Sequence, residues 1–224
     1  MKIKESKVFE VFYDQKNKKR IFTKALFPTQ VYGEQLVKQG NDIFREWNAY
    51  RSKLAAAIIR GSPNIGLRKN SSVLYLGAST GTTVSHVSDI VGENGIVYAL
   101  DISPFVLRDL VFLAEERKNI APIVADANNT DSFKHRVMKV DVLYQDIAQR
   151  NQLEIFLKNA DLFLKDSGYG ILCIKARSID ITKKPKQIFK QVMEKLGKKM
   201  KIIDYRELDP YEKDHCIFIC RKSR

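Results

Sequence analysis

The 224-residue chain is poor in cysteine, in tryptophan and in long apolar runs. Its three cysteines, Cys173, Cys216 and Cys220, cannot all pair, which excludes a disulfide-stapled scaffold and fits a reducing compartment. No second Cys/His pair lies at zinc-ligand spacing, so no metal site is expected. No apolar run approaches ~18 residues, which excludes a membrane-spanning helix. The opening MKIKESKVFEVF is charged and alternating, without the apolar core of a signal peptide. The expectation is a cytoplasmic protein with no membrane partner. The sequence also has no lipidation signal, no internal repeat and no low-complexity tail.

What is present is ordinary in one respect and unusual in another. Hydrophobic residues make up 44% and charged residues 29%, a globular composition that excludes disorder and collagen-like repeats. Lysine and arginine total 39 against 26 acids, a formal charge of +13. Such an excess favours a polyanion such as RNA, through phosphate contacts and counterion release.

Two parts are expected, a small β-rich region over 1–50 and a larger one over 51–224. In the first, Val8, Phe9, Val11 and Phe12 and then Arg20–Leu26 flank the polar DQKNKK, a hairpin whose turn carries Lys16, Lys18, Lys19 and Arg20. Turn chemistry recurs at Gly61–Gly66. From residue 71, short apolar runs at Val73–Leu76, Ile96–Leu100, Ile123–Val124, Val140–Tyr144 and Gly170–Ile174 alternate with segments of helical period. Helices are predicted over Thr83–Val91, Leu153–Leu164 and Gln187–Leu196, and after Asp101. There Ser103 can cap, Pro104 fits the first turn, and Val106, Leu107, Leu110, Val111 and Leu113 form an apolar face. Strand–helix alternation of this kind specifies an α/β fold with a Rossmann-like, doubly wound, mostly parallel sheet. Lys201–Tyr205 and Cys216–Cys220 are joined by too short a loop for a parallel crossover, so the last strand is antiparallel.

The chemistry concentrates at strand ends. The first βα turn is Gly77-Ala78-Ser79-Thr80-Gly81-Thr82-Thr83, whose glycines would let backbone approach a ligand at a helix N-terminus. Asp101 ends the second strand and is placed for ribose hydroxyls; Asp126 follows the third and would face an adenine. The Gly-x3-Gly spacing departs from the dinucleotide fingerprint. Asp146 ends the fourth strand, Lys175 ends the fifth and His215 opens the last, while Lys53 stands near a helix start. A lysine directly after Ile-Leu-Cys-Ile is expected to be partly desolvated and balanced by a nearby carboxylate, here Asp146, and can orient or deprotonate a hydroxyl. Arg177 is placed to hold a substrate phosphate, with Arg45, Arg51 and Lys53 extending the path. The lysines of 183–201 surround an apolar stripe of Ile188, Phe189, Val192 and Leu196 and face outward. His86 and His135 read as structural or exposed.

The stretches WNAYRSKLAAAI, VLYLGASTGTTVSHVSDIVG, DVLYQDIAQ, IKARSID and LDPYEKDHCIF occur in an order that resembles fibrillarin, over essentially the whole chain. With no glycine/arginine-rich tail in view, the resemblance is to the archaeal form. It implies a class I S-adenosylmethionine-dependent methyltransferase acting on ribose 2′-hydroxyls of rRNA and tRNA. Its implied cofactor residues are Gly77, Ala78, Gly81, Thr82, Thr83, Asp101, Ile102, Asp126, Ala127, Asp146, Ile147, Ala148 and Gln149. Its catalytic set maps onto Lys53, Asp146, Lys175 and His215, with Arg51 and Arg177 toward RNA. The implied partners are a box C/D guide RNA, a Nop-family scaffold and a kink-turn-binding protein of ribosomal type. Arg150, where the family commonly has proline, and Thr80 depart from the pattern. A guide-independent methyltransferase on RNA or protein, a non-catalytic RNA-binding subunit and a nicotinamide-dependent oxidoreductase share parts of the pattern. The intact Lys–Asp–Lys–His set disfavours the second, and the glycine spacing the third.

Overall fold

A computed structural model describes residues 1–223. The N-terminal part is a five-stranded antiparallel sheet built from β1 (Ile3–Glu5), β2 (Val11–Asp14), β3 (Asn17–Lys24), β4 (Leu36–Gln39) and β5 (Asp42–Trp47), in the order β1-β2-β3-β5-β4. The expected hairpin is β2–β3, closed by Asp14 Oδ1 accepting the Lys16 N–H at 3.0 Å. Its limits differ from expectation. Val8 and Phe9 lie in a turn before β2, and Lys18, Lys19 and Arg20 lie inside β3. Arg20, inside β3, reaches Glu46 on β5 with its guanidinium at 2.8 Å. The β4–β5 hairpin, turning at Gly40-Asn41, was foreshadowed only by that dipeptide.

The second sheet has seven strands: β6 (Ser72–Leu76), β7 (Ile96–Asp101), β8 (Ile120–Val124), β9 (Val140–Gln145), β10 (Leu164–Lys175), β11 (Met200–Glu207) and β12 (His215–Lys222). Their order is β11-β12-β10-β9-β6-β7-β8. Pairing is parallel from β8 across to β10, and β12 runs antiparallel between β10 and β11. Alternation along each strand feeds two cores. Val73 and Tyr75 face one cluster with α1 (Lys53–Ile59), α2 (Thr82–Val91) and α3 (Pro104–Glu116). Leu74 and Leu76 face the other, with α4 (Gln152–Phe163) and α6 (Pro185–Gly197), α5 (Ala176–Ile179) lying between those two helices in the chain. The three cysteines are buried free thiols, and the α6 stripe of Ile188, Phe189, Val192 and Leu196 is buried as its period requires. On α3, Ser103 Oγ accepts the Val106 N–H at 3.4 Å and Pro104 opens the helix. Its apolar face is narrower than expected: Leu107 and Leu110 are buried, but Val111 is exposed, because α3 covers β7 and the edge strand β8.

The small sheet shares a core with the large one through Val8, Val11, Ile21 and Trp47. A buried charge cluster completes the joint. Asp89 of α2 receives Arg45 from β5 and Arg117 from the residue after α3, each at 2.7 Å, with all three side chains fully buried. Arg45 also pairs with Glu34 at 2.6 Å, while Thr23 Oγ1 and the Leu26 N–H donate to the two Asp89 oxygens. Arg45 is thus a structural arginine and does not extend an RNA path, because its guanidinium is enclosed. His86, structural as expected, lies stacked on Trp47 with its ring nitrogens 2.8 Å from Thr23 Oγ1 and the Tyr32 hydroxyl. Burial and the two arginines hold the His86 pKa well below its ordinary value.

Two outcomes follow from this joint. Asp89→Ala leaves the buried Arg117 without a carboxylate and Arg45 with Glu34 alone, and should cost about 3–5 kcal/mol in urea unfolding; a loss under about 1 kcal/mol, the range of exposed pairs, would contradict the role. His86 is neutral when folded but binds a proton when unfolded. Stability should therefore fall as pH drops below about 6.5, and this component should vanish in His86→Phe when the two pH–stability curves are compared.

Candidate active site

β6 turns toward β7 on one side while β9 lies on its other side, so the carboxyl ends of β6 and β9 diverge into a crevice. It has an inner lobe of about 400 Å³ and an outer lobe of about 310 Å³ that share Gly77, Ser79, Asp146, Ile147 and Ala148. A larger cavity of about 580 Å³ lies between Glu5–Phe12 and the 63–68 loop, and none of Lys53, Asp101, Asp126, Asp146, Lys175 and His215 lines it.

Gly77 adopts φ +86°, and a Cβ there would overlap the Asp146 carbonyl oxygen. Gly81 adopts φ +95° as the N-cap of α2, and a Cβ there would come within 2.8 Å of Leu110 and Leu113 on α3. Each glycine makes room for neighbouring protein. Gly77 also lines both lobes of the crevice, with Ser79; Ala78 and Thr82 of the same turn line the inner one, and Gly81 lines neither.

The outer lobe is a carboxylate shelf with apolar walls. Asp101 Oδ2 accepts the Ser79 N–H at 2.8 Å and Oδ1 the Ser103 N–H at 3.0 Å, which fixes the carboxylate while each oxygen keeps acceptor capacity. Asp126 Oδ1 is held in the same way by the Asn128 N–H at 2.8 Å. Ile102, Ala127 and Ile147 supply apolar surface, with Ala148 and Gln149 on the same lobe.

The inner lobe gathers Lys53, Asp146, Lys175 and His215, together with Arg51, Thr82 and Thr83. Lys53 is the first residue of α1, whose N-cap Ser52 takes a hydrogen bond from Thr83 Oγ1 at 2.9 Å. Thr83 is therefore committed to tying α1 to α2. Lys53 Nζ lies 2.9 Å from Asp146 Oδ2, both side chains being mostly buried. Burial pulls the Lys53 pKa down, but the Asp146 carboxylate outweighs it and the net shift is upward. The expected partner of Asp146 was Lys175; the structure gives it Lys53, because α1 lays that side chain across the end of β9. Lys175 is also exposed rather than partly desolvated, because it is the last residue of β10, beyond the end of β9. Among the described residues it has no ion-pair partner within 4.0 Å. His215 is its register partner across β10 and β12. Since a carbonyl only accepts, His215 Nδ1–H donates to the Lys213 carbonyl at 2.7 Å, which leaves Nε2 as the free ring nitrogen.

Arg51 lines the inner lobe while its guanidinium donates to the Tyr32 carbonyl at 3.1 Å and sits over the Tyr32 ring. Arg177 does not line the crevice. Its Nε pairs with Asp214 at 3.0 Å and its Nη1 donates to the Ile181 carbonyl at 3.1 Å, which leaves its Nη2 donors facing outward for a phosphate. Sequence reasoning missed Glu212, which lines the inner lobe 3.8 Å from His215 Nδ1. Its only sequence signal is its place three residues before His215.

A family model described as Fibrillarin matches residues 2–224. The chain belongs to the fibrillarin family. The fibrillarin-like rRNA/tRNA 2′-O-methyltransferase of Thermococcus onnurineus is 48% identical over 99% of this chain and 100% of its own length. The crystal structure of Aeropyrum pernix fibrillarin, in complex with natively bound S-adenosyl-L-methionine, superposes with TM-score 0.89 at 39% identity, covering 98% of each chain. The fibrillarin of a fibrillarin/Nop5p complex superposes with TM-score 0.88 at 41% identity, covering 98% of this chain and all of that one. Residues singled out from the sequence, Gly77, Asp101, Asp126, Lys53, Asp146, Lys175 and His215, thus fall on one crevice.

Gly77→Ala tests the turn. It adds left-handed strain and an overlap with Asp146 backbone, which should cost about 1–3 kcal/mol or more in denaturant unfolding. A neutral effect would show that the turn moves freely against β9.

Proposed function

We propose that the chain transfers a methyl group from S-adenosylmethionine to ribose 2′-hydroxyls of rRNA and tRNA. It acts at nucleotides chosen by a box C/D guide RNA, held by a Nop-family scaffold beside a kink-turn-binding protein. Family membership over nearly the whole chain supports the reaction, and the relatives' bound cofactor and Nop5p partner support the assembly. The observation that carries it is one crevice whose outer lobe suits an adenosine and whose inner lobe gathers the lysine–acid–histidine set.

The residues fit the cofactor. Asp101 offers an oriented carboxylate for a ribose diol, Asp126 an acceptor for an amino group, and Ile102, Ala127 and Ile147 an apolar slot for a flat base. Ala78, Thr82 and Thr83 border the passage to the inner lobe, and Gln149 closes the outer one. Bound S-adenosylmethionine supplies a methyl group activated by the sulfonium charge. The chain aligns the ribose and takes a proton.

The two lysines then separate by role. Lys53 is held charged by Asp146, so it orients the ribose and favours negative charge growing on the attacking oxygen. Lys175 has no ion-pair partner among the described residues and, when neutral, can take the 2′-hydroxyl proton as the oxygen–methyl bond forms and the sulfur–methyl bond breaks. His215 Nε2 is positioned to accept or return a hydrogen bond at the same ribose. Arg51 at the mouth, with Arg177 at the strand end, meets RNA phosphate.

The test is methyl transfer from labelled cofactor to RNA, with and without scaffold, kink-turn protein and guide, mapping the modified atom. The expected result is 2′-O-methylation of the guide-paired nucleotide only in the complete mixture. Labelling without guide, or at a base or protein side chain, overturns the assignment. Lys175→Ala should lower the rate at least about 10²-fold with cofactor affinity retained. Asp101→Ala should weaken cofactor binding about tenfold, roughly 1.4 kcal/mol, by calorimetry.

A further inference from the structure

Lys175 stands where the sheet loses a strand. β9 ends at Gln145, opposite Leu172, so the last residues of β10 run past that neighbour. On the other side, the Ala176 N–H donates to the Asp214 carbonyl at 3.0 Å, while the Lys175 backbone groups point away from β12. Both meet one side chain. Gln152 Oε1 accepts the Lys175 N–H at 3.0 Å, and Gln152 Nε2 donates to the Lys175 carbonyl at 3.2 Å. The amide takes the place of one residue of absent strand.

The anchor is itself fixed. Gln152 is the first residue of α4 and is fully buried. Its backbone carbonyl accepts Gln145 Nε2 at 2.7 Å, and Gln145 is fully buried too. The chain Gln145–Gln152–Lys175 therefore ties the ends of β9, α4 and β10 together.

The consequence reaches the crevice. In an antiparallel pair, residues whose backbone groups point away from each other form the closer kind of pair, with Cα atoms about 4.5 Å apart and side chains adjacent. Lys175 and His215 are register partners of this kind. Among the described residues the exposed Lys175 side chain has no ion-pair partner, so its Cα–Cβ direction, set by the backbone, is what aims it.

We propose that Gln152 is a positioning residue of the methyl-transfer site, a two-point amide clamp that aims Lys175 beside His215 into the inner lobe. The inference rests on the role given to Lys175 above.

The test uses the reconstituted guide complex under single-turnover conditions. Gln152→Leu keeps the bulk and can form neither bond. It should slow transfer about 10²-fold, as ångström-scale misplacement of a reacting group does, with RNA KM and cofactor dissociation constant within about twofold. Gln152→Glu keeps the acceptor for the Lys175 N–H and should fall between Gln152→Leu and the parent. The double variant Gln152→Leu/Lys175→Ala should be no slower than Lys175→Ala alone, because both changes remove one function. Parent-like transfer by Gln152→Leu, an additive loss in the double variant, or a matching loss of cofactor affinity overturns the clamp while leaving Lys175 intact. An active Lys175→Ala enzyme overturns the Lys175 assignment itself, and the clamp with it.

Discussion

The carboxylate of Asp89, enclosed with Arg45 and Arg117, is the constraint on which the relation between the two sheets depends. Three charges without water are tolerable only because each is paired and hydrogen-bonded. Glu34 supplies the fourth charge, and the Thr23 and Leu26 donors complete Asp89. That arrangement locks β3 and β5 onto α2. The chain leaving β5 then reaches Ser52, which α2 holds through Thr83, and the next residue is Lys53. A buried ion cluster in the joint thus sets where a lysine lies in the crevice.

The crevice treats its two lysines differently, and the difference arises from neighbours rather than residue type. Lys53 is pinned to Asp146 and its charge is stabilised. Lys175 is held by its backbone, at the end of a strand whose neighbour has stopped. One lysine is fixed by an ion pair and the other is aimed by its backbone. A ribose hydroxyl that must be both oriented and deprotonated needs both.

Much of the architecture was legible beforehand. Strand runs alternating with helical segments, Ser103 and Pro104 at the head of α3, and the apolar stripe of α6 report local preferences, and local preferences survive folding. The positions of Asp101, Asp126, Asp146, Lys175 and His215 at strand ends followed from the same alternation. The failures were of another kind. Arg45 reads as one more basic residue, yet it is enclosed by Glu34 and Asp89. Val111 reads as core, yet α3 lies at a sheet edge. Gly81 reads as ligand-admitting, yet its missing Cβ makes room for Leu110 and Leu113, and it lines neither lobe of the crevice.

The sequence by itself determined the class of fold, the family and most of the residues that meet in the crevice, Glu212 excepted, because motifs, periodicity and strand-end position are properties of consecutive residues. Only the tertiary structure decided which of them touch. The pairing of Asp146 with Lys53 spans 93 positions, and the clamp of Gln152 on Lys175 spans 23. Such contacts depend on where strands stop and helices begin relative to one another in space, and no local pattern of residues encodes that.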